Sequence, residues 1–187
     1  MNAIRYLERD QIDDIKWDSC INHARNENIY GYAAYLDDMA SHWDALVIND
    51  YEAVLPLTWK KKMGFAYLYT PRFTSRLAIY GLIPEDMKLQ QILDHIPKKF
   101  RLWDINLVNN LSHYSSTAIK RKNHVLHLLP LYDELRKNYR KSYLNLLNQT
   151  HNQISREISI DVIIDLASKK NITGTNAADY ARFQNLF

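Results

Sequence analysis

The chain has 187 residues, with 47% hydrophobic and 24% charged positions and a formal net charge of +3, the composition of an ordinary globular protein with apolar residues enough for a core. One cysteine, Cys20, excludes an internal disulfide framework. A mild positive balance is too small to imply a nucleic-acid partner by itself, and no apolar run approaches the ~20 residues that a membrane-spanning helix needs.

Ile4 to Leu7 reads as a short strand. Asp10 is placed to cap the following helix, whose Trp17, Cys20, Ile21 and Ala24 recur at helical spacing and form one apolar stripe. Asn26 to Asn28 interrupt it, and a second helix follows over 32–40. Ala45 to Ile48 and Ala53 to Thr58 are strands joined by the Asn49-Asp50 turn signal, a predicted hairpin. Trp59 to Gly64, with Lys60, Lys61 and Lys62, reads as a basic turn. Ala66 to Thr70 alternates Tyr67 and Tyr69 with smaller or aliphatic residues, as a strand with two unlike faces does. Pro71 ends it, and Leu77 to Tyr80 suggests another short strand.

Glu85 to Ile96 is a predicted helix between Pro84 and Pro97, with Leu89, Ile92, Leu93 and Ile96 as its stripe. Leu102 to Leu107 and His124 to Leu129 are predicted strands. A single amphipathic helix is expected over 131–153, and a last strand over Glu157 to Ile160. Asp161 and Asn176 are the expected caps of two short C-terminal helices, the second with Tyr180, Phe183 and Phe187 on one face. This order predicts an α/β (α+β) fold, a mixed, mostly antiparallel sheet flanked by helices, rather than a doubly wound nucleotide-binding fold.

Several chemistries lack their residues. His124 and His127 are three apart on a predicted strand and point to opposite faces, and no metal-ligand spacing occurs, so no metal site is expected. Cys20 lies on an apolar stripe and no nucleophile elbow is present. Neither glycine pattern that cradles phosphate appears. What remains is Tyr67-Leu68-Tyr69-Thr70-Pro71-Arg72-Phe73-Thr74-Ser75-Arg76, where aromatics, two arginines and two hydroxyls meet at a strand end. Strand ends beside helix starts are where α/β proteins hold anions. A proline-punctuated loop packing its rings on the sheet is the alternative. Lys60 to Lys62 and Arg136 to Lys141 read as solvated charged faces or, alternatively, as contacts for nucleic acid or another anion.

The runs Trp43-Asp44-Ala45-Leu46-Val47, Asp50-Tyr51-Glu52-Ala53-Val54-Leu55-Pro56-Leu57, Lys60-Lys61-Lys62-Met63-Gly64, Tyr67-Leu68-Tyr69-Thr70-Pro71 and Phe73-Thr74 resemble the FemAB-like branch of the acyl-CoA N-acyltransferase (GNAT-like) superfamily. Ile96-Pro97-Lys98-Lys99-Phe100, Asp104-Ile105-Asn106-Leu107 and Leu131-Tyr132-Asp133-Glu134-Leu135 continue the likeness. The resemblance implies a GNAT-like N-terminal domain over 1–130 and, over 131–187, a helical extension like the start of a truncated second domain. It implies a sheet whose strands splay into a cleft where an acyl donor meets an amine. Arg72 to Arg76 stands where the family has a glycine-rich pyrophosphate loop.

On this reading Asp104, which alternates off the apolar row of Trp103, Ile105 and Leu107, is the catalytic base and Tyr69 donates to the leaving group. Arg72, Thr74, Arg76, Tyr67 and Asn106 bind the donor. Acyl-CoA is expected as a co-substrate, with no permanently bound cofactor. A homodimer through the C-terminal helices is expected, as are a cytoplasmic location and no membrane partner. The alternative is a non-catalytic binding module that retains the fold.

Overall fold

A computed structural model describes residues 3–108, 119, 122, 131–149, 158–170 and 174–186. The chain divides into two compact units, Met1–Ala118 with Ile160–Phe187, and Ile119–Ser159. The boundary expected at residue 130 falls inside the second.

The first unit is built on a six-stranded, mostly antiparallel sheet, so the predicted α+β class holds. Its strands are β1 (Ile4–Leu7), β2 (His42–Ile48), β3 (Ala53–Lys62), β4 (Phe65–Tyr69), β5 (Tyr80–Gly81) and β6 (Phe100–Asp104). They run in the order β1-β2-β3-β4-β6, with β5 also on β3. Every pairing between these strands is antiparallel except β4 with β6, which is parallel.

Alternation along β2 and β3 places Trp43, Ala45, Val47 and Val54 on one face, where α1 (Asp14–Asn22) and α2 (Ala33–Met39) cover them. Trp17 and Ile21 of α1 and Leu36 of α2 are fully buried there, and the Trp17 indole N–H donates to the Gly31 carbonyl at 2.9 Å. The other face carries Leu46, Ile48, Leu55 and Leu57 against α3 (Leu89–Asp94). Leu89, Ile92 and Leu93, with Ile96 just beyond the helix, form the predicted stripe.

The same second face holds a buried carboxylate. Asp44 accepts from the Tyr6 hydroxyl and lies 3.4 Å from Lys99 Nζ. Burial above all, and then the hydrogen bond to Asp44, pushes the Tyr6 phenol far up, so it stays a donor.

Several elements differ from expectation. The cap of α1 is Asp13, which accepts from the amides of Ile15 and Lys16, while Asp10 lies in a preceding 3-10 turn. Lys60 to Lys62 belong to β3 and not to a turn, because at the solvent end of a hairpin a charged strand costs nothing in burial. Only Tyr80 and Gly81 of the next segment form a strand, while Leu77 makes an isolated parallel bridge to Leu107. Gly81 is required: at its φ of +91° an added Cβ would collide with the Glu52 carbonyl. The α3 helix is two turns shorter than its proline frame allows, and β6 begins at Phe100. Ile160 opens α6 (Ile160–Lys169) and is not the end of a strand. Asp161 lies inside that helix's first turn rather than capping it, and accepts from Gln184 Nε2 at 2.7 Å. Asn176 caps α7 (Ala177–Gln184) as predicted, accepting from the Asp179 amide. The predicted strand over 124–129, with His124 and His127, lies outside the described residues.

In the second unit the expected long helix divides into α4 (Tyr132–Lys137) and α5 (Lys141–Gln149). Tyr132, Tyr139 and Tyr143 stack edge to face along them, with centroids 6.4 and 5.5 Å apart. Among the described residues no helix is long and apolar enough to cross a membrane.

Candidate functional site

The sheet has an interval in it. The β3–β4 ladder runs from Lys62↔Phe65 to Trp59↔Leu68 and stops. β5 then joins β3 only at Val54 and Ala53. Among the described residues, positions 55–58 of β3 thus have no partner strand on that side, and Pro56, which has no N–H to offer a ladder, falls in this stretch. At its edge the Thr58 hydroxyl donates to the Tyr69 carbonyl where a backbone amide would otherwise do so. The chain from Thr70 to Ile79 occupies the space between β4 and β5.

Beside this interval β4 and β6 run parallel, with an irregularity between Ala66 and Leu68. They end together: Tyr69 is the register partner of Asp104. Beyond them the Thr70 amide donates to the Asp104 carbonyl at 3.1 Å and the Asn106 amide to Thr70 Oγ1 at 2.8 Å. The Leu77 amide donates to the Asn106 carbonyl at 2.8 Å, which ties the return of the loop to the same place.

Of the predicted site residues, Tyr67, Tyr69, Asp104 and Asn106 are brought to this strand end. The Tyr67 and Tyr69 rings lie 6.3 Å apart, and the Lys60 ammonium sits 4.4 Å from the Tyr69 centroid and 5.7 Å from that of Tyr67. The Tyr69 hydroxyl accepts from the Ser41 amide at 2.9 Å and reaches Ser41 Oγ only at 3.4 Å. Its proton is thus weakly engaged, since O–H···O bonds are ordinarily 2.5–3.0 Å. The Asp104 and Asn106 side chains are exposed.

The remaining three are directed elsewhere. Thr74 is buried, with its hydroxyl 3.0 Å from the Tyr35 hydroxyl. The Arg72 guanidinium lies so close to Gly174 that a β-carbon there would collide with it. Arg76 is half-buried, and its charge acts on the Tyr80 phenol, although burial outweighs it and pushes that phenol up to about 12. Phe73 adopts a left-handed φ of +61° and packs its ring 4.9 Å from Phe183 and 5.5 Å from Tyr180 of α7.

Ser41, Tyr35 and Gly174 complete the surroundings of these residues and were not legible in sequence, because Ser41 lies 28 residues from Tyr69, Tyr35 lies 39 from Thr74, and Gly174 is farther still from Arg72. Pro56 was a usable signal for the gap: a proline inside a run of central-strand residues marks a place where no neighbour needs an N–H.

A separate depression of about 410 Å³ lies on the outer side of α1, lined by residues that include Lys16, Cys20, His23, Asp50, Glu52 and Gly81. None of the predicted site residues lines it. Its lysine is paired with Asp50 at 2.8 Å, and burial pushes the Cys20 thiol up to about 11, so the sulfur stays protonated and unreactive. Among the described residues no cluster of three or more His, Cys, Asp or Glu side chains could hold a metal ion.

Comparison with family models, with curated proteins and with solved structures returns no match for this chain.

Proposed function

We propose that the chain is an N-acyltransferase domain that moves an acyl group from acyl-CoA, or a related donor, to an amine. The observation that carries this reading is the pairing of Tyr69 with Asp104 at the joint end of the β4–β6 parallel pair, beside the unpaired interval of β3. Asp104 takes the proton from the attacking amine as its nitrogen bonds to the thioester carbonyl carbon. The carbon–sulfur bond then breaks, and Tyr69, whose oxygen is held by the Ser41 amide, gives its proton to the departing thiolate. Proton transfers of this kind are worth roughly 10²–10⁴-fold in rate. Tyr67 and Asn106 flank the donor, Arg72 and Arg76, which lie against Gly174 and near Tyr80 in this structure, turn toward its phosphates when it binds, and Thr74 acts indirectly, by anchoring the loop to Tyr35. A cytoplasmic setting, where CoA thioesters are made, fits this reading. The exposed Val162, Ile163 and Leu166 of α6 support a homodimer.

One observation favours the second reading, a binding module without catalysis: Thr74, Arg72 and Phe73 are all engaged in packing the loop under its neighbours. Isothermal titration with acetyl-CoA separates the two. Heat of binding, together with turnover of an amine acceptor that falls at least a hundredfold in Tyr69→Phe and Asp104→Asn, is the expected result. No heat at millimolar ligand leaves the binding module.

A further inference from the structure

The distal end of the β3–β4 hairpin has an unusual make-up. Its two-residue turn is Met63-Gly64, with φ of +49° and +81°, both left-handed. Asn or Asp is the ordinary first residue of such a turn, since a short polar side chain relieves the strain of positive φ. Here a methionine stands there instead, 88% exposed, and the next residue, Phe65, is 51% exposed. On the adjoining β6, Leu102 and Trp103 are also exposed. An apolar tip of this kind does nothing for the fold.

Cations surround it. Lys60, Lys61 and Lys62 lead into the turn, and the Arg101 guanidinium lies 4.6 Å from the Phe65 ring centroid. No acidic residue occurs between Glu52 and Glu85, nor between Asp94 and Asp104. The hairpin and the start of β6 thus contribute only basic charged side chains, although the whole chain carries only +3, while the nearby carboxylates of Glu8 and Asp44 are turned to Lys99. Methionine and phenylalanine at a tip, ringed by long basic side chains, match the layering of a bilayer surface: apolar groups enter the acyl boundary while ammonium groups stay at the phosphates. A nucleic acid fits less well, because the ring faces it would stack on already carry cations, Lys60 on Tyr67 and Tyr69, Lys61 on Trp59 and Arg101 on Phe65.

The geometry points to a peripheral membrane-docking tip: Met63 and Phe65 insert into an anionic phospholipid surface, and Lys61, Lys62 and Arg101 bind its headgroups. The expectation of no membrane partner rested on the lack of a spanning run, which surface attachment does not need. This inference is independent of acyl transfer, since the tip lies at the opposite end of β4 from Tyr69.

The test is co-sedimentation of the full chain with vesicles of equal parts phosphatidylglycerol and phosphatidylcholine, and with phosphatidylcholine alone. Binding to the mixed vesicles only, weakened by salt, is expected. Lys61→Gln with Lys62→Gln should lower it about thirtyfold, at about 1 kcal/mol for each basic residue. Met63→Glu, at an exposed turn that the core does not use, should lower it at least tenfold. Lys169→Gln with Lys170→Gln removes the same charge at the end of α6 and should leave binding intact. The inference is overturned by pelleting with neither vesicle, by equal pelleting with both, or by Met63→Glu binding like the parent chain. It is also overturned if the α6 pair matters as much as the hairpin pair, or if a single-stranded oligonucleotide binds through Lys61 and Lys62 while vesicles do not.

Discussion

From Trp43 to Ile48 and from Ala53 to Thr58, β2 and β3 are buried on both faces, whereas β4 fully buries only Leu68 and β6 only Phe100. The first pair is covered by α1 and α2 on one side and α3 on the other. The second pair presents Tyr67, Tyr69, Arg101 and Asp104 along its length. Each fully buried large side chain contributes roughly 1.5–3 kcal/mol, so stability is concentrated in β2–β3. The β4–β6 half is left free to carry polar and aromatic groups. Its one parallel pairing and its neighbouring gap are tolerable because the rest of the sheet holds them.

Substitutions that separate the two halves sharpen this contrast. Trp17→Ala, beneath the β2–β3 half and 5.1 Å from Trp43, should cost about 3–5 kcal/mol in urea unfolding. A loss below about 1 kcal/mol would mean that this half is not where stability resides. Asp44→Ala strands the Tyr6 hydroxyl, while Lys99 keeps Glu8 at 3.6 Å, and should cost about 1.5–3 kcal/mol, the range for a hydrogen bond to a charged group.

Asp37 gives a smaller effect with a pH signature. Hydrogen bonds from Arg9 hold its carboxyl below the usual range against the opposing effect of burial, and Trp43 helps. A depressed folded value contributes stability above the unfolded value of about 3.9 and loses it as pH falls through the folded one. Asp37→Asn should therefore lower stability at neutral pH and flatten its decline below about pH 4, as read from urea midpoints across that range. The smallest effect on stability belongs to the other half. Replacing both Arg72 and Arg76 by Ala should move unfolding by no more than about 0.5 kcal/mol, yet weaken acyl-donor binding at least tenfold by titration. If the double variant unfolds easily while donor binding is unchanged, these arginines belong to the packing of α7 and not to a ligand.

The sequence makes the β2–β3 hairpin legible, because Ala45-Leu46-Val47-Ile48 and Ala53-Val54-Leu55 are short apolar runs on either side of the Asn49-Asp50 turn signal. It determined the faces of α1 and α3 through helical spacing, and the start of α7 through Asn176, whose side chain bonds locally. It brought Tyr67, Tyr69, Arg72, Thr74 and Arg76 to notice, since they are adjacent in the chain. Which way these side chains turn is set by partners distant in the chain. The Thr74 hydroxyl goes to Tyr35, thirty-nine residues away, and Phe73 goes under α7, more than a hundred residues on. The parallel course of β6 beside β4, and with it the meeting of Tyr69 and Asp104, likewise depends on a pairing across the sheet. Local spacing carries the periodicity of a helix or a strand, but not the identity of a distant partner. That is set by which surfaces, once each element has formed, are left to be buried together.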